Sequence, residues 1–388
     1  MNIATLKKID EAIGWTLSLF PPRKELPEQF EATRILVIKL SAMGDALCLM
    51  PAVRVLAEAL PASEIDWLTT NRSNPDLFKR LPFLSRVITL DTSIFGLVTS
   101  FLPLLFRIKK YHLVVDFDQY YRISEILSRL GRVSAGFDAP LKGKTFTIKK
   151  PYREQLNEKY QFLELVHLVV DRLGVLPGIY RTALQEILTG YQPDESLREL
   201  AKGLRERQTE VLVIYPGSGK GASFRRWSWD RFEMVIQRFQ DCTTVLIAGG
   251  QDELDIQALT EQRRLRVINC INSLSLQDWL WLLSQIRPIV IGNDGGFLHI
   301  AEAAGIPSIG IFGPSRFSKW GSINPDSIGL EVELDCRPCL KNYLGEVPEK
   351  CWRGTRQCLK DIQPSAVIKV VDKVIKEKES SSRQVGEI

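Results

Sequence analysis

The chain has 388 residues, 45% of them apolar and 25% charged, which places it among ordinary soluble globular proteins and makes it too long for one typical core, so two domains are expected. A formal net charge of +5 spread along the chain favours an acidic partner such as phosphate, nucleotide or anionic lipid, and gives no particular argument for nucleic acid. Seven cysteines behind a start without a leader pattern (MNIATLKKIDEAIGW) read as a reducing cytoplasm rather than a disulfide framework, and the absence of a run of about 18 apolar residues excludes a spanning helix.

Residues 1–33 read as an N-terminal extension. Leu6, Ile9, Ile13, Leu17 and Phe20 recur at helical spacing, with Lys7, Lys8, Asp10 and Glu11 on other faces, until Pro21-Pro22 stops the pattern. Such a helix packs on protein or lies on a membrane surface. From residue 34, strand-length apolar runs alternate with helical segments. Strands are expected at ILVIKL (35–40), EIDWLTT (64–70), RVITLD (86–91) and HLVVDF (112–117), and helices at PAVRVLAEALP (51–61) and 121–130. Such alternation gives a parallel sheet covered by helices on both faces, here a first Rossmann-like domain over residues 34–190. Within it, residues 94–106 form an apolar run broken by Pro103 and followed by Arg107, Lys109 and Lys110, too short to span but suited to an interface or to packing.

Between residues 184 and 208 the chain turns polar and helical, punctuated by Gly190, Pro193 and Gly203, which marks a domain boundary. VLVIYPG (211–217), TTVLIAGG (243–250), RVINC (266–270), PIVIGND (288–294) and PSIGIFG (307–313) then read as strands ending in turns, giving a second doubly wound domain over residues 205–364. Residues 365–388 hold an amphipathic helix, AVIKVVDKVIKE, and a tail polar enough to be disordered.

In parallel α/β sheets ligands gather beyond the carboxyl ends of strands, where helix N-termini present backbone N–H groups. After the first strand comes Lys39-Leu40-Ser41-Ala42-Met43-Gly44-Asp45, in which Gly44 permits a tight turn and Asp45 stands at the start of the next helix; the alternative for Asp45 is a plain helix cap. One glycine is too few for a dinucleotide fingerprint. The second domain opens with Gly217, Ser218, Gly219 and Lys220, then Arg225, Arg226 and Trp227, a loop whose backbone can approach a diphosphate and whose cations can neutralise it, without Walker A spacing. In GNDGGFLHIAEAAG, Gly295 and Gly296 expose the first amides of a helix to an anion, and His299 follows one turn later, as a ligand contact or as a structural histidine. Phe312-Gly313-Pro314-Ser315 could close the other side.

Together IKLSAMGDALCLMPAVRVL, PGSGKGASFRRWSWDRF, IAGGQDE, GNDGGFLHIAEAAGIPSIGIFGPS and the spaced cysteines resemble glycosyltransferase family 9, the heptosyltransferases of lipopolysaccharide core assembly, in the family's own order over residues 34–364. The resemblance implies a GT-B fold, two Rossmann-like domains facing a central cleft, with an acceptor bound by the first, an ADP-sugar by the second, and inverting transfer without a metal or other cofactor. It implies Asp45 as the general base, with Lys39, Ser41, Gly44, Asp118 and Arg122 on the acceptor side. Donor contacts fall to Gly217, Ser218, Lys220, Arg225, Arg226, Asp294, Gly295, Gly296 and His299, and to an acidic residue after IAGG that is Asp252 or Glu253. Gly295 stands where the family often has threonine, which removes a hydroxyl donor. The implied partners are an ADP-heptose-like donor and a glycolipid acceptor of the envelope, met on the cytoplasmic face of the inner membrane.

The chemistry agrees. Inverting displacement needs a base on the acceptor and positive charge on the diphosphate, and no residue need become covalently bonded. Asp116-Phe117-Asp118 lies in the first domain and is read as structural or acceptor-binding, its aspartates on opposite faces if the strand continues. Cys336, Cys339, Cys351 and Cys358 have a spacing open to zinc, and are read instead as a reduced loop near the donor, so no metal is assigned. The alternatives are another nucleotide sugar or acceptor, a nucleotide-sugar epimerase of the same fold, and a non-catalytic sugar-nucleotide-binding protein.

Overall fold

The computed structural model describes residues 10, 25–27, 30–40, 42–91, 93, 99, 103–140, 142–175, 184–207, 209–219 and 222–385. The helix expected in residues 1–33 and most of the 94–106 run lie outside them. The chain divides into two units, Met1–Thr189 with Lys341–Glu346, and Gly190–Leu340 with Val347–Ile388. Six residues from late in the chain thus belong with the first unit, which chain order does not announce.

The first unit is one parallel sheet. Its strands are β1 (Arg34–Ile38), β2 (Glu64–Thr70), β3 (Arg86–Leu90), β4 (Leu113–Asp116), β5 (Val133–Asp138) and β6 (Ile148–Pro151), and they pair in the order β3-β2-β1-β4-β5-β6. Strands buried on both faces need apolar side chains throughout, and β1 supplies Ile35, Leu36, Val37 and Ile38, all fully buried. The connecting helices used below are α1 (Met43–Ala59), α2 (Arg122–Arg129) and α3 (Glu158–Arg172). The apolar pattern starts this helix at Pro51 and the loop reading starts it near Asp45; α1 begins at Met43, close to the second, and carries Pro51 in its interior. Proline forfeits one backbone hydrogen bond there; burial of Leu47 to Ala52 without interruption holds the helix through it. Gly44 therefore lies inside the first helical turn rather than in a turn ahead of it. Asp10 also contributes: its Oδ1 accepts from the backbone N–H groups of Arg122 (2.8 Å) and Ile123 (3.1 Å), capping α2, whose own N-cap Tyr121 gives no side-chain capping bond.

The second unit repeats the plan with β7 (Val211–Tyr215), β8 (Thr244–Gly249), β9 (Ile268–Ile271), β10 (Ile289–Asn293), β11 (Ser308–Ile311) and β12 (Ile328–Leu330), all parallel in the order β12-β11-β10-β7-β8-β9. Its helices include α4 (Glu195–Glu206), α5 (Trp229–Phe239), α6 (Leu254–Gln262), α7 (Leu276–Ile286), α8 (Gly296–Ala303) and α9 (Pro364–Val385). The tail expected to be disordered continues α9 as far as Val385. Val367 and Val371 anchor that helix in the core, and its polar end is rich in good helix formers, with Lys373 and Glu377 paired four residues apart at 3.6 Å. Among the described residues no helix is long and apolar enough to cross a membrane.

Candidate functional site

In the first unit the carboxyl ends of β1 and β4 carry a buried ionic cluster. Asp45 is the third residue of α1, where the helix dipole favours a carboxylate, and 17% of its side chain is exposed. Its Oδ2 lies 3.1 Å from the Nζ of Lys39. The fully buried Lys39 ammonium also reaches Asp118 Oδ1 at 3.3 Å and donates to Gln119 Oε1 at 2.9 Å. Burial opposes that charge, but Asp45, Asp118 and Glu158 hold the Lys39 ammonium well above the ordinary lysine range. The second oxygen of Asp118 accepts from the Leu40 N–H at 2.9 Å, fixing the loop after β1.

Below this lies a second buried pair. Lys142 Nζ donates to Asp116 Oδ2 (2.7 Å), the Asp118 carbonyl (2.7 Å) and Ser124 Oγ (2.8 Å). Asp116 and Asp118 do not diverge to opposite faces, because β4 ends at Asp116 and the Asp118 N–H turns back to Asp116 Oδ1 at 2.9 Å. Burial pushes the Asp116 carboxyl up, to about 6, against the pull of Lys142. Both aspartates thus serve one network with two lysines, neither positioned as half of a metal motif.

Around this cluster Gln119 donates from Nε2 to Glu158 Oε1, and Tyr152 donates to Glu158 Oε2 at 2.6 Å. Glu125 accepts from the Gly143 and Thr145 N–H groups, each at 2.8 Å. Gln119, Glu125, Lys142, Tyr152 and Glu158 were not singled out by the sequence; only the Asp116-Phe117-Asp118 run hinted that β4 ends in polar residues. Of the expected acceptor residues, Lys39 and Asp118 are fully buried and engaged with Asp45 and the loop, while Arg122 faces Asp10 at 3.7 Å and Ser41 lies outside the described residues.

In the second unit three loops converge. Arg225 Nη2 lies 3.4 Å from Asp294 Oδ2, the same oxygen that accepts from Ser315 Oγ, and Arg225 Nε has no hydrogen-bond partner among the described residues. Arg226 donates from Nε to Ser218 Oγ (3.0 Å) and from Nη2 to Glu253 Oε1 (2.8 Å). Glu253, 2% exposed, accepts the Gly250 N–H on its other oxygen at 2.9 Å, whereas Asp252 is exposed. The buried partner of the glycine-rich loop is therefore Glu253. A Cβ at Gly217 would stand 2.5 Å from Glu253 Oε1, so only glycine lets the loop pass there.

Helix α8 starts at Gly296 behind the extended N-cap Gly295, and its fourth residue is His299, 8% exposed with Nδ1 at 3.9 Å from Glu302 Oε2. Tyr215 stacks on Phe297 at 5.0 Å beneath the same turn. Two fasteners went unread in the sequence. Asn293 accepts the Trp227 N–H (2.9 Å) and donates to the Pro216 and Gly217 carbonyls (2.7 and 3.1 Å), tying β10 to the glycine-rich loop. The buried Arg337 donates to the Gly313 and Ser315 carbonyls and to Glu331, holding the turn after β11 around Ser315. Lys220 lies outside the described residues.

Cys336, Cys339, Cys351 and Cys358 lie within electrostatic reach of one another. Burial, then neighbouring thiols, pushes Cys339 and Cys358 up; burial also acts on Cys351, but the backbone N–H groups of Arg356, Arg353, Thr355 and Gly354 hold it below the ordinary thiol range. Among the described residues no group of three or more Cys, His, Asp or Glu side chains is arranged to hold a metal ion.

The model of glycosyltransferase family 9 (heptosyltransferase) matches residues 157–347. The chain is 27% identical over 173 residues to a lipooligosaccharide heptosyltransferase 2 of Campylobacter jejuni, covering 42% of this chain and 51% of that protein. It spans about half the length of the first curated relatives it matches. Among solved structures it is similar to a family 9 glycosyl transferase of Veillonella parvula, with a TM-score of 0.68, 18% identity, and 90% of this chain and 99% of that one covered. It is also similar to the E. coli heptosyltransferase WaaC with ADP, with a TM-score of 0.63, 19% identity, and 88% and 99% covered. At such identities the structures speak for the fold, which is the GT-B fold of two Rossmann-like parallel-sheet domains. The motif resemblance to glycosyltransferase family 9 is borne out.

Proposed function

We propose that this chain transfers a heptose-like sugar, with inversion and without a metal, from an ADP-sugar to a lipopolysaccharide-core or other envelope glycolipid acceptor. The observation that carries the reading is the pairing of chemistries across the two units: a half-shielded carboxylate fixed by a buried ammonium in one, and two partly exposed arginines over glycine backbone in the other. In this reading the second unit binds the diphosphate with Arg225, Arg226, Lys220 and the first amides of α8, while Glu253 orders the Gly217-Ser218 loop or meets the ribose. Asp294 and Ser315 hold Arg225, and His299 stands one turn into α8 beside the same anion.

Asp45 then accepts the proton of the acceptor hydroxyl as its oxygen attacks the anomeric carbon. The new carbon–oxygen bond forms as the bond to the diphosphate breaks, and ADP leaves with the electron pair, its charge met by the arginines and helix amides. Lys39 and Asp118 serve the acceptor through Asp45 and the Leu40 loop, since both are fully buried. The reaction is placed at the cytoplasmic face of the inner membrane, where a glycolipid acceptor is presented.

A thermal-shift titration with ADP, UDP, GDP and CMP tests the donor assignment. A ligand at a hundred times its Kd adds about 2.7 kcal/mol to the native state, so ADP is expected to raise the midpoint by several degrees and the other nucleotides by much less. A preference for UDP or GDP would overturn the ADP-sugar.

A further inference from the structure

We infer that the segment Lys341–Glu346, contributed from late in the chain, is a positioning element for the Asp45 carboxylate, acting through Tyr343, Tyr152, Glu158, Gln119 and Lys39. The inference rests on the reading of Asp45 as the base. The segment is a closed turn: the Lys341 N–H donates to the Glu346 carbonyl at 2.9 Å and the Glu346 N–H returns to the Lys341 carbonyl at 3.1 Å. Gly345 completes it with φ at +75°, a conformation that glycine adopts without strain, and a side chain there would meet the Tyr120 ring. This turn places Tyr343, 4% exposed, on the ring of Tyr152, with centroids 5.6 Å apart and planes 28° from parallel.

Tyr152 is thereby held between two aromatic rings, Tyr343 on one side and Phe137 edge-on at 5.4 Å on another. Its hydroxyl donates to Glu158 Oε2 at 2.6 Å; burial first, then the Glu158 carboxylate, keep it protonated far above the ordinary tyrosine range. The other Glu158 oxygen accepts the Gln119 amide nitrogen, which turns the Gln119 carbonyl oxygen toward Lys39 Nζ at 2.9 Å. Chemistry fixes that amide's orientation, because only its oxygen can face a cation and only its NH2 a carboxylate. Lys39 then meets Asp45 at 3.1 Å. Gln119, Glu158 and Lys39 are each at most 1% exposed, and such a chain of satisfied buried bonds has few alternative arrangements. Asp45, at its end, keeps 17% of its side chain exposed to an incoming hydroxyl.

The test measures kcat and KM for ADP release from ADP-heptose with heptose-deficient lipopolysaccharide as acceptor, using the full chain. Tyr343→Ala and Tyr152→Phe are expected to lower kcat about tenfold while the donor KM stays within about twofold, the loss set by one buried hydrogen bond or its support. Tyr343→Phe keeps the stacked ring and is expected to restore kcat. Unchanged kcat in Tyr343→Ala and Tyr152→Phe, with only the melting midpoint lowered, would overturn the positioning role and leave the turn as packing. Should Tyr343→Ala fail to fold, Tyr152→Phe, which removes a single hydroxyl, decides alone. An Asp45→Asn variant separates the layers: if it retains transfer, the base reading falls and the inference with it; if it is inactive while both tyrosine variants match wild type, only the inference falls. A wild type inactive on this pair overturns the reading beneath both.

Discussion

In the first unit the charges that shape the site are buried and matched, Lys39 to Asp45 and Asp118, Lys142 to Asp116, with all of these but Asp45 at most 3% exposed. In the second unit Arg225 and Arg226 keep 19% and 22% of their side chains exposed, and much of the surrounding wall is glycine backbone. The difference follows from what each has to hold. Buried ions lose hydration and must be repaid by near-ideal partners, so they permit one geometry. Partly exposed arginines over glycine backbone can accept a diphosphate that arrives with its own charge and leaves again. A fixed carboxylate suits proton transfer; an adaptable cationic wall suits a leaving group.

The largest expected effect tests the fixed side of that contrast. Asp45→Asn is isosteric, keeps its place in the first turn of α1 and removes the proton acceptor; transfer is expected to fall by about 10² to 10⁴-fold. Stabilisation by ADP is expected to persist, because the proposed donor residues belong to the other unit. Loss of ADP stabilisation in this variant would show that the two sides are not separable as described.

Next comes Lys142→Met, which leaves Asp116 buried without its cation. Breaking a buried pair from one side costs about 3–5 kcal/mol, a drop readable by chemical denaturation near pH 7.5. The pH dependence has a definite sign. Asp116 already titrates upward, to about 6, so it holds a proton in the native state at pH values where an unfolded aspartate does not. Its ionisation therefore subtracts stability as pH rises through the interval from about 4 to 6. Without Lys142 that interval extends upward, and the variant's deficit is expected to shrink as the pH is lowered toward 5. A deficit independent of pH would mean that the lysine acts by packing.

The cationic side is tested by Arg225→Ala. Charge-assisted hydrogen bonds contribute about 1.5–3 kcal/mol, so the ADP-induced shift is expected to vanish at ligand concentrations where wild type responds, and the donor KM to rise by about 10 to 100-fold. Folding is expected to be nearly unaffected, since Arg225 is part-exposed and its Nε has no hydrogen-bond partner among the described residues. Equal ADP binding in the variant would remove Arg225 from the donor site.

The same contrast explains what the sequence disclosed. Strands β1 to β4 and β7 to β11 were readable because they are mostly short apolar runs, whereas β5, β6 and β12 went unread, and the proposed donor side was readable because glycines and arginines cluster within single loops. Lys142, Gln119, Glu158, Tyr152 and Tyr343 were not, because most of the bonds that join them link residues distant in the chain; Gln119 reaches Glu158 across 39 residues, and Tyr343 reaches Tyr152 from nearly two hundred residues later. Polar residues scattered over strand ends and helix starts look like ordinary surface until the fold buries them. The pattern-based start of α1 at Pro51 has a similar cause: the proline signals a helix boundary locally, and only tertiary burial overrules it, whereas the reading of Asp45 at the helix start agrees with the structure.

The smallest effect probes the boundary between the two regimes. Asp294 is 4% exposed, so by burial it belongs with the fixed groups, yet its Oδ2 serves both Ser315 and the part-exposed Arg225. Ser315→Ala removes one donor and leaves the carboxylate to the arginine alone, at a cost of about 1–3 kcal/mol in stability. If Asp294 restrains Arg225, the freed oxygen draws the guanidinium closer and ADP binds several-fold more weakly. In that case Ser315→Ala and Arg225→Ala are not additive toward ADP: once the arginine is gone, loss of the serine has nothing left to affect. Additive losses would instead place Ser315 in direct contact with the nucleotide, and the division between a buried scaffold and an exposed cationic wall would have to be drawn one residue closer to the ligand.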